Sequence, residues 1–221
     1  MSSLAHCDCV VTLTQGDVPF WTKYAPSIKV IPNMLTIIPK QVIDYNVKRV
    51  ICAGRYAPQK GYDLLIHAWE KINSSYNDWH LYIFGNGNRE PFQNIVNGYG
   101  LCENVHLMEA TPHIAIEFAK SSIYVMSSRF EGFGLVLVEA MACGLPCVSF
   151  DCPHGPRDII TDGEDGILVE NGNVEALARA LEKLMDDVTL RKSMGEKAVN
   201  KISRYDCDII MKQWIQLFLS M

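Results

Sequence analysis

Short apolar runs alternate with longer amphipathic stretches along most of this chain. Residues 50–53, 79–84, 105–108, 123–126, 147–150 and 167–169 are almost wholly apolar and end at turn residues. Runs of that length and character predict strands buried on both faces. Between them the spacing changes to that of a helix. Leu64, Leu65, Ala68, Trp69 and Ile72 fall on one face of a predicted helix over 62–72. Further helices are predicted over 91–99, with Pro91 near the first position, and over 111–120, opened by Thr111-Pro112. A compact apolar helix over 135–143 stops at Gly144, with Pro146 just beyond. Three helices close the chain, over 173–186, 188–203 and 206–219. The last carries Ile209, Ile210, Trp214, Ile215 and Phe218 on one face. Ahead of residue 48 the pattern is weaker. Short strands over 9–14 and 28–31 flank a turn with helical character at 16–24, and a connector with Pro32 and Pro39 ends near Val47. Buried strands alternating with helices predict an α/β fold, a doubly wound parallel sheet of about six strands.

Composition narrows the function classes. The chain has 221 residues, 48% hydrophobic and 20% charged, an ordinary globular balance for one large domain or one domain with appendages. A net charge of -5 does not indicate bulk attraction to nucleic acid or anionic lipid. No 18 consecutive residues are apolar, so no membrane span is expected. The N-terminus lacks a basic start followed by an apolar core, so no signal peptide is expected. The eight cysteines do not form a paired zinc pattern, and Cys7-x-Cys9 is too short and isolated for a metal site. They read as reduced thiols, mostly in the core of a cytoplasmic protein. The acidic stretch 162–166 lacks the remaining ligands of a calcium loop and reads as a turn.

Three glycine loops follow predicted strands. The first holds Gly54, Arg55, Lys60 and Gly61, two cations five residues apart. Two readings stand for it: a solvated basic loop, or a clamp on a diphosphate in which Arg supplies bidentate bonds and Lys a point charge. The second, Gly85-Asn86-Gly87, has Glu90 where a dinucleotide fingerprint needs its third glycine, and it reads as a tight turn. The third runs Glu131-Gly132-Phe133-Gly134-Leu135 into the apolar helix. A glycine loop at a helix N-terminus is a ready anion site, because free N–H groups and the helix dipole both favour negative charge there. Glu139 lies inside that helix among Val136, Leu137, Val138, Ala140, Met141 and Ala142. A carboxylate there needs a partner. It either reaches outward or pairs with an Arg, or it holds ribose hydroxyls beside the anion loop. The turn-rich stretch 151–158 follows the next strand, a position where doubly wound sheets contact ligands.

The pattern Glu-Gly-Phe-Gly-(apolar)-Glu-Ala-Met-Ala-Cys-Gly-Leu-Pro resembles the Glu-x7-Glu motif of group 1 retaining glycosyltransferases of the GT-B fold. Those enzymes have two Rossmann-like domains, and the second binds the sugar nucleotide. The resemblance covers roughly residues 4 to 219. It implies that residues 1–47 are the end of an acceptor domain plus linker, that 48–205 bind the donor, and that 206–221 are a helix crossing back. Gly-Arg-x4-Lys-Gly matches the family's donor-phosphate motif position by position. The resemblance therefore assigns Arg55 and Lys60 to the leaving diphosphate, with Gly54 and the amides near Gly132, Phe133, Gly134 and Leu135. It assigns Glu131 to the donor sugar's hydroxyls and Glu139 to the ribose. The stretch from Met108 through Glu109, Ala110 and Thr111 would line the base pocket, largely with backbone. No metal and no cofactor is implied beyond the donor, a UDP-sugar ahead of a GDP- or ADP-sugar. A Cys-Pro-x-Gly-Pro-Arg loop looks like the subset that moves hexoses or N-acetylhexosamines onto cell-surface polysaccharides.

The implied reaction transfers such a sugar, with retention, to a saccharide or lipid-linked acceptor, and allows the full-length enzyme a peripheral association with the membrane. Without its acceptor domain the chain is expected to bind nucleotide and transfer nothing. Two rivals predict different chemistry. A GT-B-type sugar-nucleotide epimerase would form product without an acceptor, and a non-catalytic nucleotide-binding module would never turn over.

Overall fold

The structure, a computed structural model, describes residues 7–37 and 42–221. The part of the predicted connector at 38–41, Pro39 included, lies outside the described residues, as do residues 1–6. Strands β1 (Val10–Thr12) and β2 (Ile28–Val30) pair in parallel as a small sheet, with the short helix α1 (Val18–Trp21) between them.

The main sheet contains β3 (Arg49–Ala53), β4 (His80–Gly85), β5 (Val105–Glu109), β6 (Ile123–Met126), β7 (Cys147–Asp151) and β8 (Gly166–Glu170). All pair in parallel, in the order β5-β4-β3-β6-β7-β8. The helices are α2 (Tyr62–Asn73), α3 (Glu90–Gly98), α4 (Ile114–Ala119), α5 (Leu135–Ala142), α6 (Pro156–Ile159), α7 (Val174–Asp186), α8 (Val188–Ile202) and α9 (Cys207–Leu219).

The apolar strands feed two cores because successive side chains leave a strand on opposite faces. Val50 and Cys52 of β3 join one core with Leu65 and Trp69 of α2 and Leu177 and Leu181 of α7. Ile51 joins the other, with Leu137 and Met141 of α5 and Ala198 and Ile202 of α8. Each fully buried Leu or Ile contributes roughly 1.5–3 kcal/mol. Helices on both faces of a parallel sheet make the fold α/β and doubly wound.

The strand order reverses between β3 and β6, and α2 and α5 leave those neighbouring strands for opposite faces. A crevice opens at the carboxyl ends of such a pair. The first and third glycine loops sit on those two strands.

Some boundaries differ from the sequence expectation. The helix expected from residue 111 begins at Ile114, because the Thr111 hydroxyl accepts the His113 N–H at 3.1 Å and holds a turn there. The stretch 151–158 is less irregular than its turn residues suggest. Pro156 starts a helical turn whose missing N–H costs nothing, and Ile159 is fully buried beneath it. The connector joins the main body before residue 48. Ile43 is buried in the second core, the Tyr45 hydroxyl donates to Gly144 O at 2.9 Å, and Arg191 Nη2 donates to Tyr45 O at 2.7 Å. Helix α9 packs on the small sheet through Ile210 and Leu217 against Ile31. No helix among the described residues is long and apolar enough to cross a membrane.

Candidate functional site

The loops after β3 and β6 are clasped together. Gly61 holds a φ of 62°, and a Cβ there would meet Ser127 O at 2.1 Å, so only glycine lets the two backbones approach. The Ser127 hydroxyl donates to Lys60 O at 2.9 Å, and Arg129 N donates to Gln59 O at 2.8 Å. The Arg129 guanidinium grips Asp63 through two bonds of 2.9 and 2.7 Å and donates to Pro58 O at 2.7 Å. Those guanidinium bonds hold the Asp63 carboxyl below its usual range. The Tyr56 hydroxyl reaches Ile83 O at 2.6 Å and Met108 O at 2.8 Å, tying the ends of β4 and β5 to the first loop.

Lys60 and Glu131 meet inside this clasp. Lys60 Nζ lies 2.6 Å from Glu131 Oε1, and the Ser128 hydroxyl donates to the same oxygen at 2.5 Å. The Lys60 stem runs past Gly54, where a Cβ would come within 2.9 Å of Cε. The Glu131 amide donates to Pro153 O at 3.1 Å, so the loop after β7 also helps to fix Glu131. Beyond it, Gly132 has open space around its Cβ position, and Gly134 adopts a φ of 94° to start α5.

A cavity of about 280 Å³ opens over the ends of β3 and β4. Its lining includes Gly54, Arg55, Asn86, Ala110, Thr111 and Glu139. Arg55 is exposed and makes no hydrogen bond or ion pair with the described residues. Glu139 retains only 9% exposure. Burial pushes its carboxyl above the usual range, and the Thr36 hydroxyl, which donates to Oε1, pulls it back in part. Of the partners open to Glu139 from the sequence, no Arg among the described residues takes the place. The contact is a neutral hydroxyl from the connector.

The predicted residues therefore separate into groups. Gly54, Arg55 and Glu139 share the cavity, and Lys60 and Glu131 form a pair beside it. Met108 does not line the cavity. Its side chain is partly exposed and its carbonyl is taken by Tyr56, while Ala110 and Thr111 supply the wall. The Phe133 side chain is buried against the Tyr205 ring and anchors the loop, and its carbonyl packs closely on Gly155. Leu135 packs against the second core. Sequence reasoning missed Thr36, Ser128, Tyr56 and the Arg129–Asp63 pair. The last joins residues 66 apart across two loops and gives no local signal. A hydroxyl 103 residues upstream of Glu139 leaves no local pattern.

The family model described as Glycosyl transferases group 1 matches residues 34–201. An exopolysaccharide phosphotransferase of Streptomyces coelicolor is 38% identical over 198 residues, covering 89% of this chain and 21% of that protein. A poly(ribitol-phosphate) alpha-N-acetylglucosaminyltransferase of Staphylococcus aureus is 34% identical over 171 residues, covering 76% of this chain and 34% of its own length. Among solved structures, a TarM variant of S. aureus in complex with fondaparinux, alpha-GlcNAc-glycerol and UDP superposes with a TM-score of 0.90 at 28% identity. That match covers 97% of this chain and 44% of the solved one. The chain thus spans less than half the length of each of these three proteins.

Proposed function

The chain belongs to the group 1 glycosyl transferases, and we propose that it is the nucleotide-sugar-binding half of a retaining hexosyltransferase acting in the cytoplasm. The observation that carries this reading is the cavity shared by Arg55 and Glu139 at the switch point, with the Lys60–Glu131 pair at its edge. Arg55 is an unengaged guanidinium, suited to a diphosphate by bidentate geometry. Lys60 adds a second positive charge where the leaving diphosphate gains negative charge in the transition state. The α5 dipole and the amides from Gly132 to Leu135 support the same anion. Glu139 accepts the two ribose hydroxyls once Thr36 releases it. Glu131 holds donor-sugar hydroxyls, fixed meanwhile by Lys60, Ser128 and the Pro153 carbonyl.

The donor is a UDP-sugar, supported by the TarM relative's complex with UDP. The sugar is a hexose or N-acetylhexosamine, the acceptor a saccharide or lipid-linked saccharide of the cell surface. No cofactor is assigned beyond the donor. A panel of UDP-, GDP- and ADP-sugars titrated by calorimetry tests this reading. UDP-sugars should bind most tightly, and equal, very weak binding of all three would overturn it.

A further inference from the structure

We propose that Tyr62 is a positioning residue for Lys60, its buried hydroxyl accepting from the ammonium when a diphosphate draws that ammonium away from Glu131. The proposal rests on the reading of Lys60 as a diphosphate ligand. It goes beyond that reading to what aims the ammonium.

Tyr62 opens α2, directly after Gly61 and two residues after Lys60. Its side chain is wholly buried. The ring meets the Tyr56 and Phe92 rings edge-on, each at a centroid distance of 5.6 Å. Those contacts account for an aromatic ring and require no hydroxyl, so phenylalanine would serve them equally well. Yet the hydroxyl oxygen is buried with no hydrogen-bond partner among the described residues. A buried polar atom left so carries an uncompensated desolvation cost, and in a folded chain it calls for an explanation. The neighbouring Cys52 thiol is a weak partner by its chemistry. Burial, with Cys52, Tyr124 and Tyr56 close by, raises the hydroxyl's pKa well above its ordinary value. It is therefore a neutral O–H with its lone pairs free to accept.

The place of the oxygen identifies its partner. Gly54 has no side chain, and the space over it is shared by atoms of two other residues. A Cβ on Gly54 would lie 3.0 Å from Tyr62 Oη and 2.9 Å from Lys60 Cε. The hydroxyl therefore borders the last carbon before the ammonium. That ammonium now points at Glu131 Oε1, 2.6 Å away. A turn about the Cδ–Cε bond moves Nζ and leaves the rest of the stem in place. An ammonium carries three donors, and Glu131 engages one of them. A diphosphate held by Arg55 takes a second, and Tyr62 Oη takes the third. The hydroxyl then has its missing partner and Lys60 has a fixed aim. Glu131 keeps the Ser128 hydroxyl, so its carboxylate is not stranded when Lys60 turns.

A double-mutant cycle tests the proposal, with UDP and uridine titrated by calorimetry and thermal unfolding measured alongside. Tyr62→Phe keeps the ring contacts and removes only the oxygen. Without nucleotide it should unfold at or above the parent's temperature, because an unpartnered buried group is gone. UDP affinity should nevertheless fall about tenfold, as for one lost bond to an ammonium, with uridine within about twofold of the parent. In a Lys60→Ala background the same change should leave UDP affinity unaltered, since the hydroxyl acts through Lys60. A hydroxyl with a purely structural role would give the reverse, a lower unfolding temperature and the same effect on UDP in both backgrounds. The proposal is overturned if Tyr62→Phe binds UDP as tightly as the parent, or if its loss is equal with and without Lys60. If Lys60→Ala weakens UDP and Tyr62→Phe does not, the diphosphate reading stands and the positioning role alone falls. If Lys60→Ala leaves UDP binding intact, the diphosphate reading of Lys60 falls and takes the positioning role with it.

Discussion

Glu139 combines a cost of burial with the binding role proposed for it. Burial raises its carboxyl's pKa, so the folded chain holds a proton there more tightly than the unfolded chain does. Stability linked to this group is therefore greatest below the ordinary carboxylate range and falls as pH rises through the raised folded value. Glu139→Gln should unfold at or slightly above the parent's temperature at pH 7, and the difference should vanish in acid. Had Glu139 paired with a buried cation, the same change would cost several kcal/mol. For binding, Gln leaves one acceptor and adds a donor, which mismatches a ribose diol. UDP affinity should fall by about 1.5–3 kcal/mol, and the parent should prefer UDP to its 2′,3′-dideoxy analogue. Thr36→Val removes the competing hydroxyl and should tighten UDP by about 0.5–1.5 kcal/mol in the same titration. Unchanged affinity would mean that Thr36 and the ribose do not share the carboxylate.

At the scale of elements, the strand-to-helix loops matter more than the helices they start. Gly61→Ala would drive a methyl into the Ser127 carbonyl while holding a left-handed backbone. Denaturant unfolding should show a loss of at least about 2 kcal/mol, and a neutral result would mean that the loops can separate freely. The six main strands were legible because each is a short apolar run, and the glycine loops that follow three of them were legible too. Position in the chain could not reveal that Arg129 reaches back to Asp63, or that α6 forms at all. The first depends on two loops meeting across a sheet, and the second on Gly155 turning Pro156 into a helical start. Met108 stays off the cavity wall for a related reason. It lies inside β5, where the Tyr56 hydroxyl takes its carbonyl.

At the scale of the molecule, the reading proposed above treats the chain as the donor-binding half of a larger enzyme. Helix α9 buries Ile210 and Leu217 against the small sheet yet exposes Ile215 and Phe218. The chain covers 44% of the TarM structure it resembles. Acceptor positioning supplies a large share of the rate in a transfer between two bound substrates. The 221-residue chain should therefore bind nucleotide without measurable sugar transfer, and robust turnover on a saccharide acceptor would contradict that expectation.

The most direct test of the central claim compares UDP with uridine by calorimetry, in the parent and in the Arg55→Ala/Lys60→Ala double variant. Each charge-assisted bond to phosphate contributes roughly 1.5–3 kcal/mol. The account predicts that the double variant loses UDP affinity by at least a hundredfold while uridine changes little. Equal weakening of both ligands, or none of either, would show that Arg55 and Lys60 do not hold the diphosphate.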